Sequence, residues 1–372
     1  MVIDMRNDIR LGMLPNPFLF RDGTPVISGE DWLRRREEIL QDTIALAFDG
    51  MPPKPESVVV EHLDGRGRGL TTTYRIHCGT KEKPFSFCMT AYIPNKEGRV
   101  PVIVTGDAMY TDNCSDAVIA EALRRGYAVI KFNRTEMAPD YPDPDRSHGI
   151  NALWPERNFT AISAWAWGYH RVLDALEQTD FADMEHIAAS GHSRGGKTVL
   201  LAGATDERIR YVNPNGSGTH GCGAFRFLQR EEEGRFGDAM SEPLQFMFDN
   251  IPYWMGQGLR AYIGREGELP YDSHFLKALI MPRCLIETNG YEDIWANPRG
   301  SYLSNLAARE VWRRYADERG CVCNYRPGGH KHRFEEFCVL FDYIDADLTG
   351  APLPESVTQI PYDDMEPLHD WS

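Results

Sequence analysis

A serine flanked by glycines stands near the middle of the chain, in the run Gly191-His192-Ser193-Arg194-Gly195. An apolar stretch precedes this run and a helix-forming stretch follows it, which is typical of a strand that turns sharply into a helix. Such a turn exposes the serine hydroxyl at the end of the strand, and it needs glycines because a Cβ beside it would collide. The pattern predicts that Ser193 is the nucleophile of an acyl-transfer reaction.

A carboxylate that serves this serine is predicted in the loop after a late strand. A serine hydroxyl becomes nucleophilic when an imidazole accepts its proton and a carboxylate orients that imidazole. With this type of turn the three residues follow the chain order Ser, acid, His. The strand ending at Thr288 leads into a loop that contains Asp293, which we predict to be the acid. Glu292 and Glu287 are the alternatives, although Glu287 lies within the strand itself.

The base is predicted in the next loop of the same kind. A strand ending at Arg326 leads into Pro327-Gly328-Gly329-His330-Lys331-His332. His330 is preferred because the two glycines before it allow a tight turn toward the serine. His332, on the same loop, remains an alternative.

Two further positions are predicted to stabilise the oxyanion of the reaction. Backbone N–H groups usually do this work, one of them from the residue after the nucleophile, here Arg194, and one from an earlier loop. The turn around Asp107 is the candidate for that second donor. Arg194 and Lys197 also place two cations on the first turn of a helix, which costs stability unless an anionic group binds there. Either this pair recognises a carboxylate or sugar hydroxyls, or Lys197 faces solvent or pairs with a nearby acid.

The elements that must position these residues alternate as strand and helix from about residue 100 onward. This alternation predicts an α/β-hydrolase fold, with a doubly wound, mostly parallel sheet in a three-layer αβα sandwich. Period-two patterns between residues 58 and 93 predict antiparallel strands at the N-terminal edge of that sheet.

The domain organisation follows from the same patterns. We predict an N-terminal lead-in with a helix over 1–56, a single hydrolase domain over 57–350 and a C-terminal tail over 351–372. The domain carries insertions at about 137–155 and 215–275. The first of these is too long for a simple connector, and loops of such length often lie at a binding site.

Composition excludes several classes of protein. The chain has 372 residues, of which 42% are hydrophobic and 26% charged, as in ordinary globular proteins. Its net charge of −15 argues against a nucleic-acid partner, because phosphates require a basic surface. No run approaches the ~18 consecutive apolar residues of a membrane helix, so no membrane partner is expected.

The cysteines and the N-terminus bear on location and cofactors. The eight cysteines are scattered without zinc-finger or redox spacing, which predicts free thiols in a reducing compartment. The first residues lack a signal-peptide pattern, so we expect a cytoplasmic protein, unless a leader has been removed. Neither a metal nor a cofactor is expected, and the oligomeric state is left open.

The serine run, continued to Gly196-Lys197, resembles the Gly-Cys-Ser-Arg-x-Gly-Lys motif of glucuronoyl esterases and of the acetylxylan-esterase-like proteins related to them. The similarity extends to Trp165-Ala166-Trp167-Gly168, to Trp295 and to the stretch 269–283, so it covers about residues 14–348. The resemblance implies hydrolysis of an ester between the 4-O-methylglucuronic acid of xylan and a lignin alcohol, without a cofactor. The partner would then be a small-molecule or oligosaccharide ester.

Carried over by position, the resemblance implies a role for each matching residue. Ser193 would be the nucleophile and His330 the base, and Arg194 would contribute to oxyanion stabilisation. Lys197 would contact glucuronate hydroxyls, and Trp295 would be a further sugar contact.

The chain departs from the family pattern at two positions. His192 replaces the cysteine that forms a disulfide in fungal members, and Gly216 stands where many members carry the catalytic glutamate. The acid must then come from the later loop, which favours Asp293. Two other hypotheses stay open: an acetyl or other small-acyl esterase without uronate preference, and a catalytically inactive binding protein with the hydrolase fold.

Overall fold

The described part of the chain includes all of the predicted site residues. In this computed structural model it comprises residues 7–64, 71–109, 112–234, 237–362 and 365–371. The predicted lead-in, second insertion and C-terminal tail therefore each lie partly outside the described residues.

Strands are numbered here in chain order. They are β1 (Ile9–Arg10), β2 (Val59–Asp64), β3 (Thr71–His77), β4 (Ser86–Tyr92), β5 (Val100–Thr105), β6 (Ala128–Phe132), β7 (Ala182–His192), β8 (Ile209–Asn215), β9 (Phe227–Leu228), β10 (Arg230–Gly234), β11 (Gly237–Met240), β12 (Cys284–Gly290) and β13 (Cys321–Arg326).

Nine of these strands form one sheet in the order β13-β12-β8-β7-β5-β6-β4-β3-β2. The neighbours from β13 to β6 run parallel, whereas β4, β3 and β2 continue the sheet antiparallel. The prediction of a mostly parallel sheet with antiparallel strands at the N-terminal edge is confirmed. Since the parallel strands end at one edge, the loops after β7, β12 and β13 meet there.

Helices cover both faces of this sheet. They are α1 (Gly29–Ala47), α2 (Asp116–Arg125), α3 (Ala161–Leu176), α4 (Arg194–Thr205), α5 (Leu244–Asn250), α6 (Ser273–Ala278), α7 (Pro298–Tyr315) and α8 (Phe334–Thr349). Along β5, Val102 and Val104 pack into one core with α3 and α4, while Ile103 packs into another with α2 and α8. This alternation produces the three layers. Among the described residues, no helix is both long and apolar enough to cross a membrane.

The lead-in helix α1 packs on the main core. The hydroxyl of Ser28 accepts a hydrogen bond from the Asp31 N–H at 3.0 Å, which caps the first turn. Trp32 and Ile39, one face of the helix, are buried in the same apolar cluster as Trp165.

Helix α4 begins at Arg194, directly after the serine. The Arg283 N–H closes a turn on the Ile280 carbonyl at 2.9 Å, and strand β12 begins directly after this turn, at Cys284. The second insertion contains the β10–β11 hairpin, α5 and the start of α6.

Candidate active site

Ser193 occupies the turn between β7 and α4. Its backbone angles, φ 56° and ψ −119°, are strained for a residue with a side chain. The Ser193 N–H donates to the Asn215 carbonyl at 2.8 Å, and the Ser193 carbonyl accepts from the Lys197 N–H at 3.0 Å. These bonds hold the serine between the end of β8 and the first turn of the helix.

Two glycines beside the serine are required by close contacts. A Cβ on Gly191 would lie 2.5 Å from the Gly195 carbonyl oxygen. A Cβ on Gly195 would lie 2.3 Å from the Asp107 carboxylate. Real Cβ atoms do not approach so closely, so the glycine pattern around Ser193 has the steric cause that the sequence suggested.

The side chain of Asp107 supports this turn. Its carboxylate accepts the His192 N–H at 2.9 Å and forms a buried ion pair with Arg134. Its own N–H donates to the Thr105 hydroxyl at 3.3 Å, and the next N–H, of Ala108, donates to the Phe132 carbonyl. The structure therefore does not bring the Asp107 N–H to the serine as the predicted oxyanion donor. The residue instead braces the backbone that carries the serine.

The predicted acid and base are hydrogen-bonded to each other. Asp293 Oδ2 lies 2.6 Å from His330 Nδ1. Asp293 is 5% exposed, whereas the His330 side chain keeps 37% of its surface open. Their loops follow the neighbouring strands β12 and β13 and are tied by the Glu292 N–H, which donates to the Gly328 carbonyl at 3.3 Å. A buried carboxylate thus fixes one nitrogen of an imidazole whose other side faces outward.

The alternative acids and base have other surroundings. Glu287 is buried, where it accepts from Lys277 at 2.6 Å and from the Tyr325 hydroxyl at 2.6 Å. Glu292 is exposed. His332 stacks on Phe337 with the ring centres 3.9 Å apart, and burial lowers its pKa well below the usual value.

The residue before the serine lies beside His330, whereas the side chains of Ser193 and His330 have no direct bond. Within the described part of the chain, no hydrogen bond joins the serine hydroxyl to the imidazole. The ring of His192, the residue before the serine, lies 4.5 Å from the ring of His330. Catalytic hydrogen bonds are often long in enzymes without substrate and shorten when substrate binds, so this arrangement is compatible with a serine–imidazole couple.

His192 takes the place of the family cysteine and is held in the sheet. Its Nδ1 lies 2.6 Å from the Asn215 side-chain oxygen. Burial and, to a smaller extent, the neighbouring His330 lower the pKa of His192 to about 4. A neutral imidazole therefore stands beside the predicted base at neutral pH.

Arg194 is clamped beside the nucleophile. Its guanidinium forms an ion pair with Asp140 and lies over the Trp254 ring, 4.8 Å from the ring centre. Asp140 in turn accepts the Trp254 indole N–H at 3.1 Å and the Tyr253 hydroxyl at 2.9 Å. Both insertions thus meet on the residue that follows Ser193.

Lys197 is buried, and the protein provides partners for its whole ammonium group. Its Nζ donates to the Ser217 carbonyl at 2.5 Å, to the Thr219 carbonyl at 2.6 Å and to Glu242 at 3.2 Å. An ammonium group has three hydrogens to donate. Of the two sequence interpretations, the structure shows a lysine paired with an acid, and burial lowers its pKa.

Trp295 lies close to this lysine–glutamate pair. Its carbonyl accepts the Glu242 N–H at 3.3 Å. Its ring is 42% exposed and meets Phe246 edge-on at 4.7 Å. The Trp295 backbone thus contacts Glu242, the partner of Lys197, while its side chain stays open to solvent.

The residues of this site that the sequence did not predict include Asp140, Glu242 and Asn215. Asp140 lies within the long loop that was predicted to serve a site, but no local pattern distinguishes it from the other aspartates there. Glu242 lies 45 residues from Lys197, in a segment without periodicity. Among the described residues, no group of three or more His, Cys, Asp or Glu side chains is placed to hold a metal ion.

Comparisons relate this chain to known proteins. A family model described as glucuronyl esterase, fungi, matches residues 76–316. The chain is 30% identical to the 4-O-methyl-glucuronoyl methylesterase 1 of Phanerochaete chrysosporium over 86% of its own length, and it spans 65% of that relative. It is also 30% identical to the 4-O-methyl-glucuronoyl methylesterase of Schizophyllum commune, covering 86% of this chain and 77% of the relative.

A solved structure extends the comparison to the fold. A carbohydrate esterase family 15 glucuronoyl esterase from Caldicellulosiruptor kristjansonii superimposes with a TM-score of 0.83 at 29% identity. The match covers 95% of each chain.

Proposed function

Because this chain belongs to the glucuronoyl esterase family, we propose that it is a serine carboxylic-ester hydrolase that acts on a glucuronoyl ester of a carbohydrate. The observation that carries the proposal is the hydrogen-bonded Asp293–His330 pair beside the strained Ser193 turn, with Arg194 clamped next to the serine. These groups are what acyl transfer requires.

The reaction begins at the ester carbonyl carbon. The Ser193 hydroxyl oxygen attacks this carbon, and His330 takes the hydroxyl proton on its outward nitrogen. Asp293 holds the other nitrogen and stabilises the imidazolium that forms. The tetrahedral intermediate then loses the alcohol, which leaves with the proton from His330, and an acyl-enzyme remains. Water, deprotonated by His330, attacks the acyl-enzyme. His330 then returns the proton to the leaving Ser193 oxygen, which releases the uronic acid.

We assign oxyanion stabilisation to Arg194. The ester is uncharged, whereas the tetrahedral intermediate carries a negative oxygen, so a fixed cation favours the transition state over the bound ester. Asp140 and Trp254 hold the guanidinium in one place before substrate arrives. The guanidinium is therefore oriented when the protein folds, so the free-energy cost of orienting it does not add to the activation free energy of the reaction.

Sugar recognition is assigned to the cluster of Lys197, Glu242 and Trp295. The Trp295 ring offers an exposed apolar face, and Glu242 offers a carboxylate that accepts hydroxyl protons. Because Lys197 has all three hydrogens engaged, we propose that it acts mainly by holding Glu242 and the 217–219 backbone in position.

The cytoplasmic location remains a proposal. All eight cysteines are free thiols, and six of them are buried. Free thiols are typical of proteins in a reducing compartment, which supports this location.

Purified enzyme assayed on benzyl glucuronate, acetylated xylan and p-nitrophenyl acetate tests the proposal. We expect the highest kcat/KM on the glucuronate ester. Ser193→Ala should lower kcat on it by at least ~10⁴-fold, since the nucleophile is removed. Ser115→Ala, at an exposed serine whose side chain makes no capping bond, is the matched control and should retain activity.

Other outcomes would favour the competing hypotheses. Higher kcat/KM on the acetyl esters would support a small-acyl esterase. Activity that survives in Ser193→Ala would remove this serine from the mechanism, and wild-type protein inactive on every ester would indicate a binding protein.

A further inference from the structure

A polar cavity lies beside Asp140, the residue that pairs with Arg194. It has a volume of about 150 Å³, and its lining includes Asp49, Tyr141, Arg146 and Tyr253. A cavity of about this size accommodates one six-membered ring. Tyr253 joins it to the active site, because its hydroxyl donates to the carbonyl of Asp140, whose carboxylate pairs with Arg194.

Arg146 gives this cavity hydrogen-bonding capacity that the protein does not use. Its Nε and Nη2 are enclosed, and neither has a hydrogen-bond partner among the described residues. Its guanidinium lies over the Phe159 ring at 4.5 Å, and its backbone has the rare φ of 48°. A ring stacked on one face leaves the guanidinium edge for donation in the plane. An enclosed donor without a partner is costly, which favours a ligand that accepts from it.

The carboxylates of the cavity determine the charge of that ligand. Asp143 is already engaged by His148 at 2.9 Å and by Asn151 at 3.0 Å. Asp49 accepts only the Gln257 N–H, at 2.8 Å, among its described contacts. Two carboxylates against one guanidinium disfavour an anion. A neutral group with adjacent hydroxyls can instead accept from Arg146 and donate to Asp49.

We infer that this cavity is an accessory subsite for one neutral sugar residue of the glycan that carries the ester. The exposed ring of Tyr141, 54% open, lies at the cavity as a face for the same sugar. The inference rests on the proposed function, since it assumes that the substrate is a glycan and not an isolated uronate.

Calorimetric titration of Ser193→Ala protein with xylotriose, a neutral pyranose chain, tests the subsite. In that background, Arg146→Ala should weaken binding by at least about tenfold, the value of one lost charged hydrogen bond. Tyr141→Ala, which removes an exposed ring, should also weaken it. Arg157→Ala is the matched control, because this nearby arginine is 65% exposed and does not line the cavity.

Absence of xylotriose binding would overturn the subsite, as would equal affinity of the Arg146→Ala and Arg157→Ala proteins. Binding of inorganic phosphate in place of xylotriose would also overturn it, because the cavity would then be an anion site.

Kinetics separate the subsite from the proposed function. With active enzyme, Arg146→Ala should lower kcat/KM on a glucuronate ester attached to xylotriose about tenfold more than on benzyl glucuronate. Equal losses on both esters would contradict the subsite while leaving the esterase proposal intact. Xylotriose binding by a protein that hydrolyses no glucuronate ester would contradict the esterase proposal alone.

Discussion

At the scale of single residues, Gly216 and Asp293 bear on which group supplies the proposed acid. Gly216, where the resemblance places the catalytic glutamate of many members, has φ 49°. A Cβ on Gly216 would lie 3.6 Å from the Asp293 carboxylate and 3.5 Å from the His192 ring. Residue 216 and the loop after β12 therefore face the same point beside the imidazoles. A carboxylate from either place can reach that point, which explains why the loss of one acid is compatible with the presence of the other.

Asp293→Asn tests this assignment. The substitution keeps the shape of the side chain but favours the wrong imidazole tautomer, so we expect kcat on benzyl glucuronate to fall ~10⁴-fold. Glu292→Gln, at the exposed neighbouring position, is the matched control and should retain wild-type kcat. A large loss in Glu292→Gln with little loss in Asp293→Asn would reassign the acid.

Ser193, Asp293 and His330 could be predicted from the sequence, because each follows a strand at the carboxyl edge of the sheet. The order of strands and helices along the chain is enough to identify that position. Asp140 and Glu242 could not be found in this way. Their partners lie 54 and 45 residues away in the chain, and the pairing depends on how two irregular segments fold over the sheet. For Asp107 the sequence placed the residue near the serine, but it could not distinguish a backbone donor from a side-chain acceptor.

At the scale of elements, the two insertions together hold Arg194, the first residue of α4, in position. Asp140 comes from the segment after β6, and Tyr253 and Trp254 come from a single 3₁₀ turn in the second insertion. Contacts from both segments converge on the Asp140 carboxylate and on the guanidinium of Arg194. The sequence predicted both segments as insertions. Glycines, prolines and scattered aromatics gave no periodic pattern, so their contacts were not predictable.

Asp140→Asn tests the clamp. It removes the charge that orients Arg194, so we expect kcat on benzyl glucuronate to fall ~10–100-fold, less than for loss of an oxyanion donor itself. KM should change little, because Arg194 acts on the transition state. Asp145→Asn, an exposed aspartate of the same loop, is the control and should behave as wild type.

A double-mutant comparison separates this positioning role from general destabilisation. In an Arg194→Ala background, Asp140→Asn should cause no further loss of kcat, because its effect passes through the missing guanidinium. A full additional loss in that background would show that Asp140 acts independently of Arg194.

At the scale of the whole molecule, buried histidines link the fold to pH. Burial lowers the pKa of six imidazoles: His170 and His192 to about 4, His220 and His274 to about 3, His332 well below its usual value, and His369 in the same direction. The folded chain keeps these rings neutral at a pH where the unfolded chain protonates them. Four carboxyl groups whose pKa is raised by partial or full removal from water act in the opposite direction: Asp8, Asp49, Glu136 and Glu336.

His274 is suited to isolating the contribution of one ring. Its Nε2 lies 2.8 Å from the Pro15 carbonyl, and its pKa of about 3 results mainly from burial, with smaller contributions from Arg226, His369 and Lys277. Below pH 6.5 the unfolded state binds a proton at this position, whereas the folded state does not bind it until about pH 3. The free energy of unfolding therefore decreases as the pH falls through that window.

Replacement of His274 by glutamine removes the titration while retaining a donor for the carbonyl. Between pH 6 and 4.5, His274→Gln should therefore reduce the loss of unfolding free energy by about 1.4 kcal/mol per pH unit relative to wild type, as measured by urea denaturation. His62→Asn, at an exposed position on β2, is the control and should keep the wild-type slope. An unchanged slope in His274→Gln would mean that this ring is protonated in the folded protein.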